Sequence, residues 1–213
     1  MKPRQGRRPR PLSASAQSLF WAWALQAVLA LFLGWWLLQR GVWASLVDGD
    51  PSRISLVIVA LAVVLTLWCG RRAWVLQAEA AAGGQGAWAQ AYAQQRAAGL
   101  ADAQALLSER THGPHETAWW FAAAAIKLGL LGTVVGFIVM ASQLGQSKVF
   151  ELAEVQLLLK QMTSGMAIAL YTTLAGLVAN LWLGLQLLLL DRLADQVAAA
   201  ILAGQPPTPT EPA

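Results

Sequence analysis

The sequence predicts an all-α membrane protein with four transmembrane helices, and two observations carry this prediction. Of its 213 residues, 57% are hydrophobic and only 12% are charged, whereas soluble chains carry about 25% charged residues. The apolar residues are also gathered into four long runs, and one transmembrane helix needs roughly 20 of them in succession. These features exclude a secreted domain and a nucleic-acid-binding protein. They also argue against a classical soluble enzyme.

The four apolar runs predict the four spans in chain order. The first, 18–38, follows a basic segment, but it is longer than the apolar region of a cleaved signal peptide, which is about 7–15 residues. The second and third runs are 54–70 and 118–143, and the fourth is 162–190. At 1.5 Å per residue the fourth would be about 43 Å long, more than the bilayer core of about 30 Å. We therefore expect it to tilt or to project into water.

The positions of the basic residues predict the orientation. Segments 1–17, 71–117 and 191–213 hold five, four and one Lys or Arg, whereas the loops 39–53 and 144–161 hold two each. Cytoplasmic loops carry an excess of Lys and Arg. The ten-to-four asymmetry therefore predicts that both termini are cytoplasmic.

This map divides the chain into five segments. They are a basic cytoplasmic N-terminus (1–17), a peripheral helix pair (18–70), a cytoplasmic helical insert (71–117), a second helix pair with a periplasmic loop (118–190) and a cytoplasmic tail with a disordered end (191–213). Within the insert we expect a helix over 87–110 and a solvated turn at 112–116. His112 and His115 in this turn have only a weak metal-binding spacing, so no metal is expected.

Small residues mark the second helix pair. The third span carries GLLGTVVGF at 129–137, and the fourth carries GMAIALYTTLAGLVAN at 165–180. Small side chains let helix backbones approach closely in a bilayer. We therefore predict helix packing through Gly129, Gly132, Gly136, Gly165, Ala169 and Gly176. The spacing alone leaves open whether packing is their whole role.

The same two segments place polar side chains at membrane depth. These are Thr133, Thr172, Thr173 and Asn180. Such groups are tolerated where they bond a neighbouring helix or face a wet cavity. None of the four predicted spans contains Asp or Glu. If the protein conducts protons, a titrating carboxylate must therefore come from another chain.

The two motifs together resemble the paired signature of the MotA/TolQ/ExbB proton-channel family, over about residues 117–195. The resemblance implies a bacterial inner-membrane subunit of a motor driven by proton-motive force. It implies a homopentamer around an ExbD-, TolR- or MotB-like partner with one membrane helix, whose Asp carries the proton. It also implies that Thr133 and Thr173 line the proton route, with H⁺ as the coupling ion and no cofactor. Thr172 and Asn180 are further pore-lining candidates because of their depth in the membrane.

Departures from the family pattern bear on the type of motor. ExbB and TolQ proteins usually have a glutamate where this chain has Ile168, and the four spans are more like MotA. MotA proteins, however, have a larger charged cytoplasmic loop, whereas the insert here holds four basic and four acidic residues in 47. We expect a small energising motor rather than a flagellar stator. The alternative from another class is a non-conducting membrane scaffold assembled by small-residue packing.

Overall fold

The computed structural model describes residues 12–82, 86–99, 102–144 and 152–204. Within these ranges all regular secondary structure is helical. The helices are α1 (Leu12–Gln39), α2 (Val42–Gly49), α3 (Ile54–Ala81), α4 (Ala87–Ala97), α5 (Ala103–Leu144) and α6 (Leu152–Ala203). Helices α1, α3, α5 and α6 each contain a segment long and apolar enough to cross a membrane. The predictions of an all-α fold and of four candidate spans are confirmed.

The ends of the predicted map fall partly outside these residues. Positions 1–11 of the basic N-terminus and 205–213 of the tail, for which we predicted disorder, lie outside the described residues. Within the described part, α1 begins at Leu12, upstream of the predicted start of the first span at residue 18. The cytoplasmic location of both termini and of the insert remains a prediction.

The last two long helices extend well past their predicted spans. Helix α5 has 42 residues and α6 has 52, so they are about 63 and 78 Å long. A bilayer core is about 30 Å thick. Much of each helix therefore lies outside the apolar segments 118–143 and 162–190.

The insert differs from its prediction in two places. The helix expected over 87–110 is interrupted, because α4 ends at Ala97 and Gly99 follows with φ +73°. This left-handed conformation favours glycine and is common just after a helix C-terminus. The turn expected at 112–116 is wrong, because these residues are helical within α5 despite the internal Pro114.

Contacts group the chain into two compact units, and each long helix contributes to both. The unit formed by 27–68 and 117–187 is called the apolar unit here. Its core cluster joins α3, α5 and α6 through Ile58, Ala125 and Ala179. The other unit consists of the described parts of 1–26, 69–116 and 188–213 and is called the polar unit.

Two tryptophans join helices within the apolar unit. The indole Nε1 of Trp182 on α6 donates to the Oγ1 of Thr66 on α3 at 3.3 Å. The Nε1 of Trp43 on α2 donates to the backbone oxygen of Gly34 on α1 at 3.1 Å. Indole N–H groups usually find a hydrogen-bond acceptor when buried. These bonds therefore tie the peripheral helices α1 and α3 to their neighbours within this unit.

Candidate functional site

Glycines line the contact between α5 and α6. A Cβ added to Gly129 would lie 2.9 Å from the backbone oxygen of Thr172, and one added to Gly176 would lie 2.8 Å from the backbone oxygen of Ala125. These obstacles are backbone atoms, which cannot rotate away as the end of a side chain can. Only glycine therefore fits at these positions while the two helices keep their present separation.

The same contact continues along the helix pair. A Cβ on Gly136 would lie 2.6 Å from the oxygen of Gly165 and 2.9 Å from the nitrogen of Ala169, and one on Gly165 would lie 2.9 Å from the oxygen of Gly136. All six residues that the sequence singles out for packing thus lie at the α5–α6 contact within one chain. This glycine contact joins two helices of the same chain.

Thr172 lies inside this contact. Its side chain is fully buried, and a Cβ on Gly132 would overlap it. The hydroxyl donates within its own helix, to the backbone oxygens of Ile168 at 2.8 Å and Ala169 at 3.2 Å. Such bonds to the preceding turn are common for a threonine in a helix. Thr172 is therefore enclosed by α5 and α6.

Thr133 and Thr173 are only partly buried. The Thr133 hydroxyl donates to the backbone oxygen of Leu130 at 2.6 Å, and the Thr173 hydroxyl donates to that of Ala169 at 2.8 Å. A hydroxyl that donates its proton still has oxygen lone pairs with which to accept. Asn180, also partly buried, follows Thr173 by about two helical turns and so shares its side of α6.

The outward faces of α5 and α6 are apolar. Ten large side chains in the two motif-bearing segments have 49–77% of their surface exposed, namely Leu130, Leu131, Val134, Phe137, Ile138, Leu170, Leu174, Leu177, Val178 and Leu181. Large contiguous apolar surfaces mark contact with membrane or with other chains. In a bilayer such faces contact lipid or other proteins.

The polar unit contains a network that sequence reasoning missed. His115 on α5 is 2% exposed, and its Nδ1 lies 2.7 Å from Oδ1 of Asp191 on α6. On its other side, the Nε of Arg72 on α3 donates to the Nε2 of His115 at 3.4 Å. Because Nε2 accepts this bond, the proton of the neutral ring is on Nδ1, facing the carboxylate.

Arg72 also contacts the backbone of α5. Its Nη2 donates to the backbone oxygens of Arg110 and of Thr111, the latter at 3.1 Å. Its guanidinium carbon lies 5.1 Å from the centre of the Trp88 ring, a cation–π distance. Arg72 therefore has acceptors other than His115.

A second histidine pairs with a second aspartate in the same unit. The Nε2 of His112 lies 3.0 Å from Oδ1 of Asp195, whose side chain is 72% exposed. The sequence expectation of a solvated turn for the two histidines is therefore wrong. His112 and His115 are three residues apart on one helix and Asp191 and Asp195 are four apart on another. Such spacings share a helix face, and they were the signal available in the sequence. Among the described residues, no group of three or more His, Cys, Asp or Glu side chains could hold a metal ion.

Four long apolar helices, two of them joined through glycine backbones, define a polytopic α-helical membrane protein. The model of the MotA/TolQ/ExbB proton channel family matches residues 95–201, about half of the 213 residues. The chain therefore belongs to this family. The match spans α5 and most of α6, and it includes His112, His115, Asp191 and Asp195. Searches of curated proteins and of solved structures found no match.

Proposed function

We propose that this chain is the proton-conducting subunit of a two-component motor driven by proton-motive force in the bacterial inner membrane. It forms an oligomeric ring, a pentamer by family resemblance, around a single-span ExbD-, TolR- or MotB-like partner whose Asp carries the proton. The family match supports a proton channel. The absence of Asp and Glu from all four predicted spans favours a carboxylate supplied by a partner.

The observation that carries the mechanism is the different exposure of the threonines. Thr172 is enclosed by α5 and α6, whereas Thr133 and Thr173 are partly exposed and keep lone pairs available. A protonated partner Asp can donate to either exposed hydroxyl. After the proton leaves, the hydroxyl can rotate and donate to the carboxylate. The same side chains thus stabilise both protonation states of the carrier.

The glycine contact supports this role by fixing the pore helices. Because backbone atoms of α5 and α6 touch at Gly129, Gly136, Gly165 and Gly176, neither helix can slide without opening a void or a clash. A rigid helix pair holds functional hydroxyls in one geometry better than a loop does. The ring therefore presents fixed hydroxyls to a moving partner.

Within the family we favour a small energising motor over a flagellar stator. The 47-residue insert carries only four basic and four acidic residues, which leaves little charge with which to grip a large rotor. No proline lies between Pro114 and Pro206, whereas MotA proteins have prolines near the pore helices. An envelope process driven through the single-span partner suits these features better.

A non-conducting scaffold is the second candidate, and a specific observation favours it. The hydroxyls of Thr133, Thr172 and Thr173 all donate to their own helix backbone, as they would in a purely structural role. The two candidates differ in one measurable property, which is proton flux in the presence of the partner.

The test is proton flux through the chain and its partner in proteoliposomes, with Thr133→Val and Thr173→Val alone and combined. Valine keeps the shape but neither donates nor accepts a hydrogen bond. Loss of one bond to a charged group costs about 1.5–3 kcal/mol, so each variant should slow conduction about 10- to 150-fold. Ser142→Ala is the matched control, because Ser142 also donates to its own helix, at 2.8 Å from the oxygen of Val139.

Three outcomes separate the candidates. Slow flux in the valine variants with normal flux in Ser142→Ala supports the proposal. Wild-type flux in the double valine variant removes the hydroxyls from the mechanism. An intact wild-type complex that carries no proton flux favours the scaffold. Repeating the wild-type measurement with a sodium gradient distinguishes H⁺ from Na⁺ as the coupling ion.

A further inference from the structure

The chain carries a titratable pair of its own, outside the predicted apolar spans. His115 is the buried member of the two histidines in the sequence. It lies three residues before the third predicted span, and Asp191 lies one residue after the fourth. Histidine is the side chain whose ordinary titration falls between pH 5 and 8. A buried histidine bonded to a carboxylate at this place can bind and release a proton.

The two ring nitrogens of His115 have different partners. Nδ1–H faces the carboxylate of Asp191 at 2.7 Å, and the lone pair of Nε2 accepts from Arg72 at 3.4 Å. A proton that binds the neutral ring must therefore take the Nε2 lone pair. Once Nε2 carries a hydrogen, it can no longer accept from Arg72, and two N–H donors face each other.

We propose that Nε2 of His115 is a proton-binding site at which the proton and Arg72 compete. Binding forms the Nε2–H bond and breaks the hydrogen bond from Arg72. Release reverses both changes. Asp191 stabilises the resulting imidazolium through the Nδ1–H bond, which persists in both states.

Arg72 can leave His115 without losing all of its acceptors. It keeps the backbone oxygens of Arg110 and Thr111 and the face of Trp88. Both oxygens accept from Nη2 rather than from the displaced Nε–H, so these contacts hold the guanidinium beside His115 while the proton is bound. Because Arg72 is only partly buried, water can then accept from its Nε–H, and the exchange is reversible.

Charged groups on α3, α5 and α6 affect the protonation of the His115 ring. Burial opposes protonation of the ring, Asp191 on α6 favours it, and Arg72 on α3 and His112 on α5 oppose it. Asp195 on α6 pairs with His112. Asp191 also lies near the buried thiol of Cys69 on α3. The nearest opposing charge is therefore Arg72 and the nearest favourable one is Asp191, which gives each a defined effect on the titration.

This inference rests on the proposed function in one respect, namely that the ligand is the transported proton. If so, proton occupancy of His115 changes how α3 is bonded to α5 within the polar unit. Protonation of His115 on α5 then changes the bonding of α3, which lies outside the α5–α6 pair.

The first experiment measures the protonation of each histidine by ¹⁵N NMR in the purified full-length protein and needs no partner or flux. A nearby charge typically shifts such a midpoint by about 1–3 pH units. Arg72→Met should therefore raise the pH midpoint of His115 by about one unit, and Asp191→Asn should lower it by a similar amount. Asp195→Asn is the matched control, because Asp195 pairs with His112 instead, and it should change the midpoint of His115 less.

Arg72→Met also removes the donor that bonds to the Arg110 backbone oxygen of α5. The measurement is therefore repeated in a variant that replaces this bond. In the background Pro114→Ala, the new N–H of residue 114 can bond to the Arg110 oxygen, and the double variant should fold. An unchanged His115 midpoint in the folded double variant would overturn the proposal. A proton already on Nε2 at neutral pH in the wild type would do the same.

The second experiment measures flux against pH in proteoliposomes with the partner. His115→Gln keeps a polar side chain but removes the titration, so the flux should lose one pH-dependent step. Threonine variants should instead lower flux at every pH. Wild-type protein without flux would overturn the proposed function and leave the NMR result standing. Normal flux with an unchanged pH profile in His115→Gln would show that this site does not take part in conduction.

Discussion

The guanidinium of Arg72 donates a hydrogen bond to the backbone oxygen of Arg110. In a regular helix this oxygen accepts from the N–H of residue 114, which here is Pro114 and has none. A proline in a helix interior costs about 3 kcal/mol or more, partly through this lost bond. A charged donor from another helix replaces the bond, and α5 continues unbroken through the proline.

This relationship predicts coupling between Arg72 and Pro114. Hydrogen bonds from a charged donor contribute about 1.5–3 kcal/mol, so Arg72→Met should lower the free energy of unfolding by that order. In the Pro114→Ala background the loss should be smaller by about 1 kcal/mol, because the new N–H satisfies the Arg110 oxygen. A double-mutant cycle of unfolding in detergent measures the difference. Equal losses in the two backgrounds would contradict it.

The same residues show what the sequence could and could not predict. Four apolar runs predicted four long helices, because hydrophobicity and length alone decide whether a segment suits a bilayer. The HGPHE segment was predicted as a turn from its local composition. The oxygen that Pro114 leaves without its usual donor bonds to Arg72, which is 38 residues before Arg110 in the chain, and no local pattern indicates a donor at that distance.

The candidate site was likewise only partly predictable from the sequence. The positions of the glycines were visible as a seam in the sequence, because their spacing follows the helical repeat. Which helix the seam contacts was not visible. Likewise, Thr172 and Thr173 are adjacent and chemically identical, and only the packing against Gly132 separates the enclosed hydroxyl from the partly exposed one.

The glycine contact predicts opposite outcomes for two similar substitutions. A methyl group on Gly136 would meet the backbone of Gly165 at 2.6 Å, whereas Gly34 on α1 has nothing within 4 Å of the added carbon. Overpacking of this kind costs about 1–3 kcal/mol. Gly136→Ala should therefore lower the unfolding midpoint in detergent, and Gly34→Ala should leave it unchanged or raise it slightly. Equal midpoints for the two variants would mean that α5 and α6 are not in backbone contact.

Asp50 predicts a loss of stability in acid. It is buried between α2 and α3. Its carboxylate accepts hydrogen bonds from the Ser52 hydroxyl and, at 2.7 Å, from the Ser55 N–H. Burial raises the pKa of Asp50, but the hydrogen bonds from Ser52 and Ser55 outweigh it and hold the pKa below its usual value. A pKa lower in the folded than in the unfolded state stabilises the fold above the unfolded pKa of about 3.9, and this contribution is lost as pH falls through the folded value.

The measurement compares unfolding between pH 7 and pH 3 for the wild type and Asp50→Asn. The variant should be less stable at pH 7 by about 1 kcal/mol, because hydrogen bonds to a charged acceptor are stronger than those to a neutral amide oxygen, and its stability should fall less below pH 4. Asp48→Asn is the control, because Asp48 is exposed. An acid dependence that is identical in the wild type and Asp50→Asn would show that the hydrogen bonds do not favour the charged carboxylate.

The ten-to-four basic asymmetry predicts on which side of the membrane two exposed residues lie. The one native cysteine, Cys69, is fully buried, so the wild type should not react with a membrane-impermeant maleimide. Asp48 and Gln94 are both exposed, and cysteine at either place should react from the side that it faces. In spheroplasts Asp48→Cys should be labelled, whereas Gln94→Cys should be labelled only after lysis. The reverse pattern would invert the orientation, and labelling of both from outside would mean that α3 does not cross the membrane.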